Sequence, residues 1–258
     1  MYSFEGKRVV VAGGNSGLGR SIASNFVAAG ADVLICSRNE DVLRRSAEEI
    51  GARYLVCDIS NWLATREMVE GACKLMGGID VGVNSAGFEE LVPLRKHSED
   101  HVARMVGIQF TGAVYFMQHV SNAMANGGAI VNISSLTGTN ASPGYIAYGG
   151  AKAGLNHASQ VAAVELAKRK IRVNVVSPTV VRTPMVEKMF DQPGFEAALL
   201  EEHPLGELPS PQDVSDAVLW LAGDRSRCVT GENIHIDSGA RQTRMPRAAD
   251  IMRHASAS

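Results

Sequence analysis

The sequence has few cysteines, little net charge and no long apolar run, and each shortage excludes a class of protein. The four cysteines form neither a Cys-x-x-Cys pair nor a spacing that suits a metal ion. The formal net charge of −2 creates no field that recruits nucleic acid or an anionic membrane. There is no basic-then-apolar leader, and no apolar stretch approaches ~20 residues. We therefore expect a cytoplasmic protein with no metal, no nucleic-acid partner and no membrane span.

The overall composition is ordinary for a globular protein with a sizeable core. Hydrophobic residues make up 45% of the chain and charged residues 20%. A length of 258 residues lies at the upper end for one domain, and neither a linker-like change of composition nor an internal repeat divides it. We expect one domain over residues 1–240, which includes a substrate loop at 184–210, followed by a C-terminal tail at 241–258.

Short apolar runs rich in β-branched residues alternate with longer helical patterns along most of the chain. Strands that are apolar on both faces and separated by helices imply a parallel sheet covered on both sides. The sequence therefore predicts an α/β fold, a doubly wound parallel sheet of the Rossmann type. The predicted strands cover 8–12, 32–36, 53–57, 79–83, 129–133, 172–176 and 233–236. The predicted helices cover 17–29, 39–50, 61–75, 98–125, 148–168 and 211–222.

A glycine-rich turn follows the first predicted strand and opens the first predicted helix. Glycines at such a place permit a tight turn and let backbone N–H groups approach a pyrophosphate at the helix N-terminus. The spacing Gly-x-x-x-Gly-x-Gly is a weak signal alone, but its position after the first strand of a βαβ pattern favours a dinucleotide site. The residues expected to hold the cofactor here are Gly13, Asn15, Ser16, Gly17, Leu18 and Gly19.

The end of the second predicted strand indicates which dinucleotide is bound. Ser37 lies 20 residues beyond Gly17, where dinucleotide folds that prefer NAD usually carry a carboxylate for the ribose 2′-OH. The hydroxyl of Ser37 and the guanidinium of Arg38 suit a 2′-phosphate instead, through a charge-assisted contact. The sequence predicts NADP as the cofactor. An NAD-dependent alcohol dehydrogenase remains an alternative, because the prediction depends on whether these two side chains face the 2′ position.

A tyrosine, a lysine and a serine have the spacing of a proton-transfer site. Tyr148 and Lys152 are four residues apart, so in a helix they share one face, with Cβ atoms about 5–6 Å apart. A free tyrosine titrates near ~10, and a nearby cation favours its phenolate, so we expect Lys152 to lower the pKa of Tyr148. Ser135 lies 13 residues before Tyr148, at the end of an apolar run. For the pair alone, coincidence remains the simpler interpretation.

Together these motifs resemble those of the short-chain dehydrogenase/reductase family, over about residues 4–240. Several ordered motifs at compatible spacings make a coincidence improbable. The further cofactor contacts that the resemblance implies are Asp58 and Ile59 at the adenine, Asn84, Ala86 and Gly87 beneath the cofactor, and Pro178, Val181 and Thr183 towards the nicotinamide.

The resemblance also implies a mechanism for an NADP(H)-dependent oxidoreductase that acts on a small carbonyl or alcohol. Tyr148 gives a proton to the carbonyl oxygen as hydride arrives, or removes one in reverse. Lys152 lowers the pKa of Tyr148 and binds the nicotinamide ribose, and Ser135 hydrogen-bonds the reacting oxygen. Gln109 stands where many members have an asparagine that helps hold a relay water, and it offers the same donor and acceptor one methylene further out.

A non-catalytic NADP(H)-binding regulator is the main alternative to an enzyme. Regulators of this family typically lack the active tyrosine or lysine, whereas this chain has both Tyr148 and Lys152. The unusual Gln109 keeps the alternative open. Turnover of NADPH with a panel of carbonyl compounds distinguishes the two.

The substrate loop is long for a compact domain, and such loops are usually functional. Its apolar, methionine-rich character favours a hydrophobic or aromatic ketone over a free sugar, although these residues alternatively only seal a lid. No cluster of Lys or Arg flanks the loop, which weighs against an acyl-carrier substrate. The candidate lining residues are Phe88, Leu136, Thr137, Pro143, Tyr145, Met185, Met189, Phe190 and Phe195.

Assembly is also implied by the resemblance. The family's helices that correspond to 98–125 and 148–168 pair across two-fold axes, so we expect a homotetramer, with a dimer as the second choice. The tail after residue 240 carries four arginines, and it either crosses to a neighbouring subunit or remains solvated without fixed structure. These arginines are Arg241, Arg244, Arg247 and Arg253.

Overall fold

A sheet of seven parallel strands forms the centre of the computed structural model, which describes residues 2–256. The strands are β1 (Arg8–Ala12), β2 (Asp32–Ser37), β3 (Arg53–Val56), β4 (Val81–Asn84), β5 (Gly128–Ile133), β6 (Ile171–Pro178) and β7 (Asn233–Ile236). Their spatial order is β3-β2-β1-β4-β5-β6-β7, and every neighbouring pair is parallel. The predicted doubly wound, Rossmann-type sheet is confirmed, with its topological switch point between β1 and β4.

Helices connect the strands and cover both faces of the sheet. Over residues 2–256 the α-helices are α1 (Gly17–Ala28), α2 (Glu40–Ile50), α3 (Trp62–Met76), α4 (Glu99–Val106), α5 (Gly112–Ala123), α6 (Ile146–Leu166), α7 (Glu187–Phe190), α8 (Phe195–Glu201), α9 (Pro211–Ala222) and α10 (Ala248–Ala255). None of these helices combines the length and the apolar character needed to cross a membrane.

Alternate strand residues explain why the strands are apolar throughout. Val9 and Val11 of β1 pack in the core that includes residues of α1, α2 and α9. Val10 and Ala12, which point to the other face, pack in the core that includes residues of α3, α5 and α6. Because both faces are buried, the strands read as continuous hydrophobic runs rather than as alternating ones.

The long helix predicted at 98–125 is interrupted. Helix α4 ends at Val106, and the five residues Gly107–Thr111 form a π-helical turn before α5 begins. Glycine at position 107 and again at position 112 weakens the preference for a regular α-helix. A single π-helical turn within a helix often marks a functional site, and this one carries Gln109.

The C-terminal tail folds back on the substrate loop, so of the two alternatives for the tail, solvation without fixed structure does not hold for α10. The substrate loop itself contains α7 and α8, and α10 packs against α8. Arg253 pairs with Glu201 at 2.5 Å and Arg244 pairs with Glu202 at 3.1 Å. Gly194, which precedes α8, has a φ of 78° and contacts the backbone of α10 so closely that a Cβ has no room there.

Arg172 on β6 holds the C-terminal end of α9 against the sheet. Its guanidinium donates to the carbonyl oxygens of Leu221, Ala222 and Gly223, at 2.5, 3.2 and 3.1 Å, and to the Ser226 hydroxyl at 3.0 Å. The last carbonyl groups of a helix have no partner within the helix, and a cation there also complements the helix dipole. Burial lowers the pKa of Arg172, so this contact is made by a partly desolvated charge.

Replacing Arg172 by methionine is expected to lower the free energy of unfolding by about 2–4 kcal/mol, because the carbonyl groups of Leu221, Ala222 and Gly223 lose the charged guanidinium as a donor. Urea unfolding followed by circular dichroism measures the change. The matched control is Arg95→Met at an exposed position that forms no ion pair among residues 2–256. A loss no greater than that of the control would show that Arg172 does not anchor α9.

Candidate active site

A cavity of about 600 Å³ opens at the carboxyl ends of the parallel strands. Its walls are the loops that follow β1 to β6, so it includes the crevice at the topological switch point, where open α/β sheets bind their ligands. Among the described residues, no group of three or more His, Cys, Asp or Glu side chains is placed to hold a metal ion.

All but one of the predicted site residues line this cavity. Asn84 is the exception, because it is 3% exposed and its Oδ1 accepts a hydrogen bond from the Ala86 N–H at 3.3 Å, which supports the turn after β4. The residues that do line it are Gly13, Asn15, Ser16, Gly17, Leu18, Gly19, Ser37, Arg38, Asp58, Ile59, Ala86, Gly87, Gln109, Ser135, Tyr148, Lys152, Pro178, Val181 and Thr183.

The turn between β1 and α1 presents backbone rather than side chains to the cavity. Gly13 has a φ of 76°, and a Cβ there would lie 2.7 Å from the Ala86 nitrogen, so only glycine fits. Ser16 is the N-cap of α1, yet its side chain makes no capping hydrogen bond. The first N–H groups of α1 therefore remain available to an anion at the positive end of the helix dipole.

The end of β2 places a hydroxyl and a guanidinium at the same cavity. The Ser37 Oγ is buried and has no hydrogen-bond partner among the described residues. Arg38 is exposed and forms no salt bridge within residues 2–256. The nearby acids Glu40 and Asp41 lie in the first turn of α2 and form no ion pair with Arg38. An orphaned buried hydroxyl beside an uncompensated cation is a donor set that fits an anionic group.

Tyr148 and Lys152 lie one turn apart on α6, as their spacing predicts. The Lys152 Nζ donates a hydrogen bond to the Ile133 carbonyl at the end of β5 at 2.8 Å, and it lies 5.7 Å from the centre of the Tyr148 ring. Lys152 is 5% exposed, and this burial lowers its pKa to about 7. The ammonium is thus close to the phenol but poorly solvated.

The pKa of Tyr148 is raised, so the predicted lowering by Lys152 is wrong. Burial of the phenol is the largest cause, and the carboxylate of Glu89 adds to it, while hydrogen bonding with Ser135 acts in the opposite direction. Burial disfavours the phenolate and the Lys152 cation alike. The sequence spacing shows that the two groups are neighbours, but it does not show how far each is removed from water.

Ser135, rather than Ser134, presents its hydroxyl beside Tyr148. Ser135 is the N-cap of the short 3₁₀ turn Leu136–Gly138, and its Oγ accepts hydrogen bonds from the Thr137 N–H at 3.2 Å and the Thr137 hydroxyl at 3.0 Å. Ser134 is 3% exposed and its hydroxyl donates to the Lys152 carbonyl at 3.4 Å. Because Thr137 already supplies donors, the Ser135 proton is free to point towards a reacting oxygen.

Gln109 brings an unsatisfied acceptor to the cavity. The side chain is 1% exposed, and its Nε2 donates to the Phe88 carbonyl at 2.5 Å. Its Oε1 is buried without a partner among the described residues. Gly87 packs directly on this amide, since a Cβ there would lie 2.7 Å from it. A buried acceptor without a partner is costly, and a water or a ligand hydroxyl that enters the cavity would satisfy it.

Sequence reasoning missed Glu89, whose carboxylate lies at the substrate end of the cavity. Glu89 follows the run from Asn84 to Gly87 by two residues, so its position beside a predicted cofactor motif was an available signal. Its Oε1 accepts a hydrogen bond from the Tyr145 hydroxyl at 2.7 Å. Burial raises the pKa of Glu89, and this hydrogen bond opposes the rise.

The apolar wall differs in part from its prediction. Phe88, Leu136 and Met185 line the cavity together with Thr137 and Tyr145. Phe190 and Phe195 instead pack edge to face at 5.3 Å within the substrate loop, which fits the alternative that part of this loop acts as a lid. Pro143 and Met189 likewise do not line the cavity, whereas Val186 and Met245 do. No local signal indicates Met245, because it reaches the cavity only after the tail folds back.

The chain is similar to known proteins over more than nine tenths of its length. A family model described as enoyl-(acyl carrier protein) reductase matches residues 12–241. D-erythrulose reductase of Gallus gallus is 35% identical over 241 residues, which cover 92% of this chain and 96% of the relative. L-xylulose reductase of Bos taurus is 33% identical over 238 residues, which cover 91% and 96%. A solved short-chain type dehydrogenase/reductase from Mycobacterium ulcerans has a TM-score of 0.93 at 30% identity and covers 97% of this chain and 95% of its own.

Proposed function

Because the chain belongs to the short-chain dehydrogenase/reductase family, we propose that this oxidoreductase is NADP(H)-dependent and interconverts a carbonyl and an alcohol, with Tyr148 as general acid and base. The observation that carries the proposal is the convergence of Tyr148, Lys152 and Ser135 in the cavity that also contains the glycine turn. Relatives that are reductases of D-erythrulose and L-xylulose support carbonyl reduction as the reaction class.

The cofactor's place follows from the donor groups already described. The free N–H groups at the start of α1 would hold the pyrophosphate, and Asp58 and Ile59 would lie at the adenine. Ser37 and Arg38 would hold the 2′-phosphate, which is the reason to propose NADP rather than NAD. The bound nicotinamide supplies or accepts the hydride.

The protein's own side chains handle the proton. The Tyr148 hydroxyl donates its proton to the carbonyl oxygen during reduction and recovers it from the alcohol during oxidation. Ser135 donates a hydrogen bond to the same oxygen and stabilises the charge that develops there. When protonated, Lys152 places a positive charge 5.7 Å from the centre of the phenol ring, and the Gln109 Oε1 is placed to accept a hydrogen bond from a water that resupplies the proton.

The substrate is proposed to be a hydrophobic ketone or the corresponding alcohol. The walls near Tyr148 include Phe88, Leu136 and Met185, which offer apolar surface to a substrate body. Steady-state oxidation of NADPH with a panel of aliphatic, aromatic and sugar-derived ketones tests the function. Turnover of at least one ketone class is expected. Tight NADPH binding without turnover of any carbonyl would instead favour the regulator.

Three titratable groups surround Tyr148 and set its pH dependence. Glu89 approaches from the loop after β4, and Tyr145 and Lys152 approach from α6. Burial and the Glu89 carboxylate raise the pKa of Tyr148. The phenol needed for reduction is therefore present throughout the neutral range, whereas the phenolate needed for oxidation forms only at higher pH.

Alcohol oxidation is accordingly expected to rise with pH above neutrality, while carbonyl reduction stays level until Tyr148 deprotonates. In Glu89→Gln the loss of the negative charge lowers the pKa of Tyr148, so the oxidation profile should move to lower pH. Initial rates in both directions as a function of pH check this. The control is Glu90→Gln, whose carboxylate pairs with Arg104 at 2.8 Å. A shift of the Glu89→Gln profile to higher pH would contradict the assignment.

A homotetramer is the proposed assembly. Helix α6 leaves Val161 and Val164 44% and 78% exposed, three residues apart and therefore on one face. An apolar strip of this kind on a helix of the predicted pair supports burial against another subunit. Light scattering at micromolar concentration is expected to report four times the mass of the 27.4 kDa chain. A monomer mass that persists as the concentration rises would reject the assembly, and Val164→Glu should weaken it.

A further inference from the structure

The substrate end of the cavity contains a second polar element besides Tyr148 and Ser135. It consists of the Glu89 carboxylate and the Tyr145 hydroxyl, which are joined by a hydrogen bond of 2.7 Å. Both residues line the cavity, and Tyr145 is only 8% exposed. The ring centres of Tyr145 and Tyr148 lie 5.9 Å apart. The pair is thus adjacent to the group that exchanges a proton with the reacting oxygen.

The Glu89 carboxylate has no cation to balance it. It forms no salt bridge within the described chain, and its Oε1 is occupied only by the Tyr145 hydroxyl. The neighbouring Glu90 shows the contrast, because it pairs with Arg104 at 2.8 Å and approaches His101 at 3.5 Å. Buried carboxyl groups are normally paired or hydrogen-bonded. Glu89 itself is half-buried, and no hydrogen bond to its second oxygen is found within residues 2–256, so that oxygen can accept one from a molecule in the cavity.

We propose that Glu89, held by Tyr145, is a specificity-determining residue that selects ketones carrying a hydroxyl group on the carbon next to the carbonyl, and the corresponding vicinal diols. The inference rests on the proposed function, because it places the carbonyl oxygen at Tyr148. A hydroxyl on the adjacent carbon then lies close to the neighbouring Tyr145 and Glu89, and it donates to the free carboxylate oxygen. The apolar walls contact the remainder of the molecule.

A hydroxyl fits this position better than an ammonium group. A hydroxyl donates one hydrogen bond to the Glu89 carboxylate without bringing a further charge into the cavity. Lys152, which is a cation when protonated, already lines the same cavity beside Tyr148, where the reacting oxygen is proposed to lie. A second cation in a cavity of this size would meet that charge at short range.

Three matched ketones test the proposal: acetophenone, its 2-hydroxy derivative and its 2-amino derivative. For the unaltered protein, kcat/KM is expected to be at least about tenfold higher for the hydroxy ketone than for acetophenone, the difference typical of one hydrogen bond to a charged or buried acceptor. In Glu89→Leu the ratio of the two kcat/KM values should fall to about one. In Glu89→Gln, which retains an acceptor, the ratio should lie between that of Glu89→Leu and that of the unaltered protein. The matched control Glu90→Gln should keep the full ratio.

The possible outcomes separate failure of this inference from failure of the proposed function. Equal kcat/KM values for acetophenone and the hydroxy ketone in the unaltered protein would overturn the inference while the proposed function stands. A preference for the amino ketone over the hydroxy ketone would overturn the choice of a hydroxyl. Loss of the preference in Glu90→Gln as large as in Glu89→Leu would assign it to the loop rather than to Glu89. If the protein reduces none of the three ketones and no ketone of the wider panel, the proposed function is overturned, and this inference with it.

Discussion

Replacing Tyr148 by phenylalanine is expected to reduce turnover by about 10²–10⁴-fold, because the substitution removes only the group that exchanges the proton. The Tyr148 hydroxyl lies in the cavity beside Ser135. Among the described residues, the only other tyrosine that lines the cavity is Tyr145, whose hydroxyl donates to Glu89, and no histidine lines it. Affinity for NADPH should remain almost unchanged. Steady-state rates and fluorescence titration of NADPH measure the two effects.

Two further variants complete this test. Tyr115→Phe removes a hydroxyl from α5, where the ring packs on Trp62 outside the cavity, and should leave both rate and affinity unchanged. Lys152→Ala should reduce both, because Lys152 serves the phenol and is proposed to bind the nicotinamide ribose. If Tyr148→Phe retains more than about a tenth of the activity, the proton donor lies elsewhere.

Substituting aspartate for Arg38 is expected to reverse the preference between the two nicotinamide cofactors. For the unaltered protein, NADPH should bind at least about tenfold more tightly than NADH, since a charge-assisted contact with the 2′-phosphate contributes about 1.5–3 kcal/mol. In Arg38→Asp the guanidinium is lost and the new carboxylate repels the phosphate while it accepts from a 2′-hydroxyl. Calorimetric titration with both cofactors gives the dissociation constants.

The control for the cofactor prediction is Arg45→Asp. Arg45 is an exposed residue of α2 that does not line the cavity. The substitution Arg45→Asp changes the net charge by the same amount as Arg38→Asp. It should shift both dissociation constants by similar small factors through long-range electrostatics, which salt screens. Equal affinities for NADPH and NADH in the unaltered protein would refute the role of Ser37 and Arg38.

Most of the fold could be predicted from the sequence because its strands are buried on both faces. The bounds of β1 and β7 agree with the prediction, and the others differ by one to two residues at the ends. The π-helical turn was not predictable, because single glycines such as Gly107 and Gly112 are also tolerated within a regular α-helix. The helix α10 was not predictable either, since its contacts with α8, among them the ion pair of Arg253 with Glu201, exist only in the folded chain.

The site could be predicted as far as it depends on chain position. Motifs at the carboxyl ends of parallel strands meet at one edge of the sheet, so residues far apart in sequence such as Ser37 and Tyr148 reach one cavity. The direction of a side chain and its distance from water do not follow from position. For that reason Asn84 was assigned to the cavity, Glu89 was missed, and the shift in the pKa of Tyr148 had the wrong sign.

The central claim is that this chain transfers hydride between NADP(H) and a carbonyl carbon while Tyr148 supplies the proton. The most direct measurement incubates the unaltered protein and Tyr148→Phe with NADPH deuterated at the reactive C4 position and a ketone that the panel identifies, and then analyses the alcohol by mass spectrometry. We expect one deuterium on the carbinol carbon for each NADPH oxidised, with product formation nearly abolished in Tyr148→Phe. An alcohol without deuterium, or NADPH that binds and is never oxidised, would contradict the account.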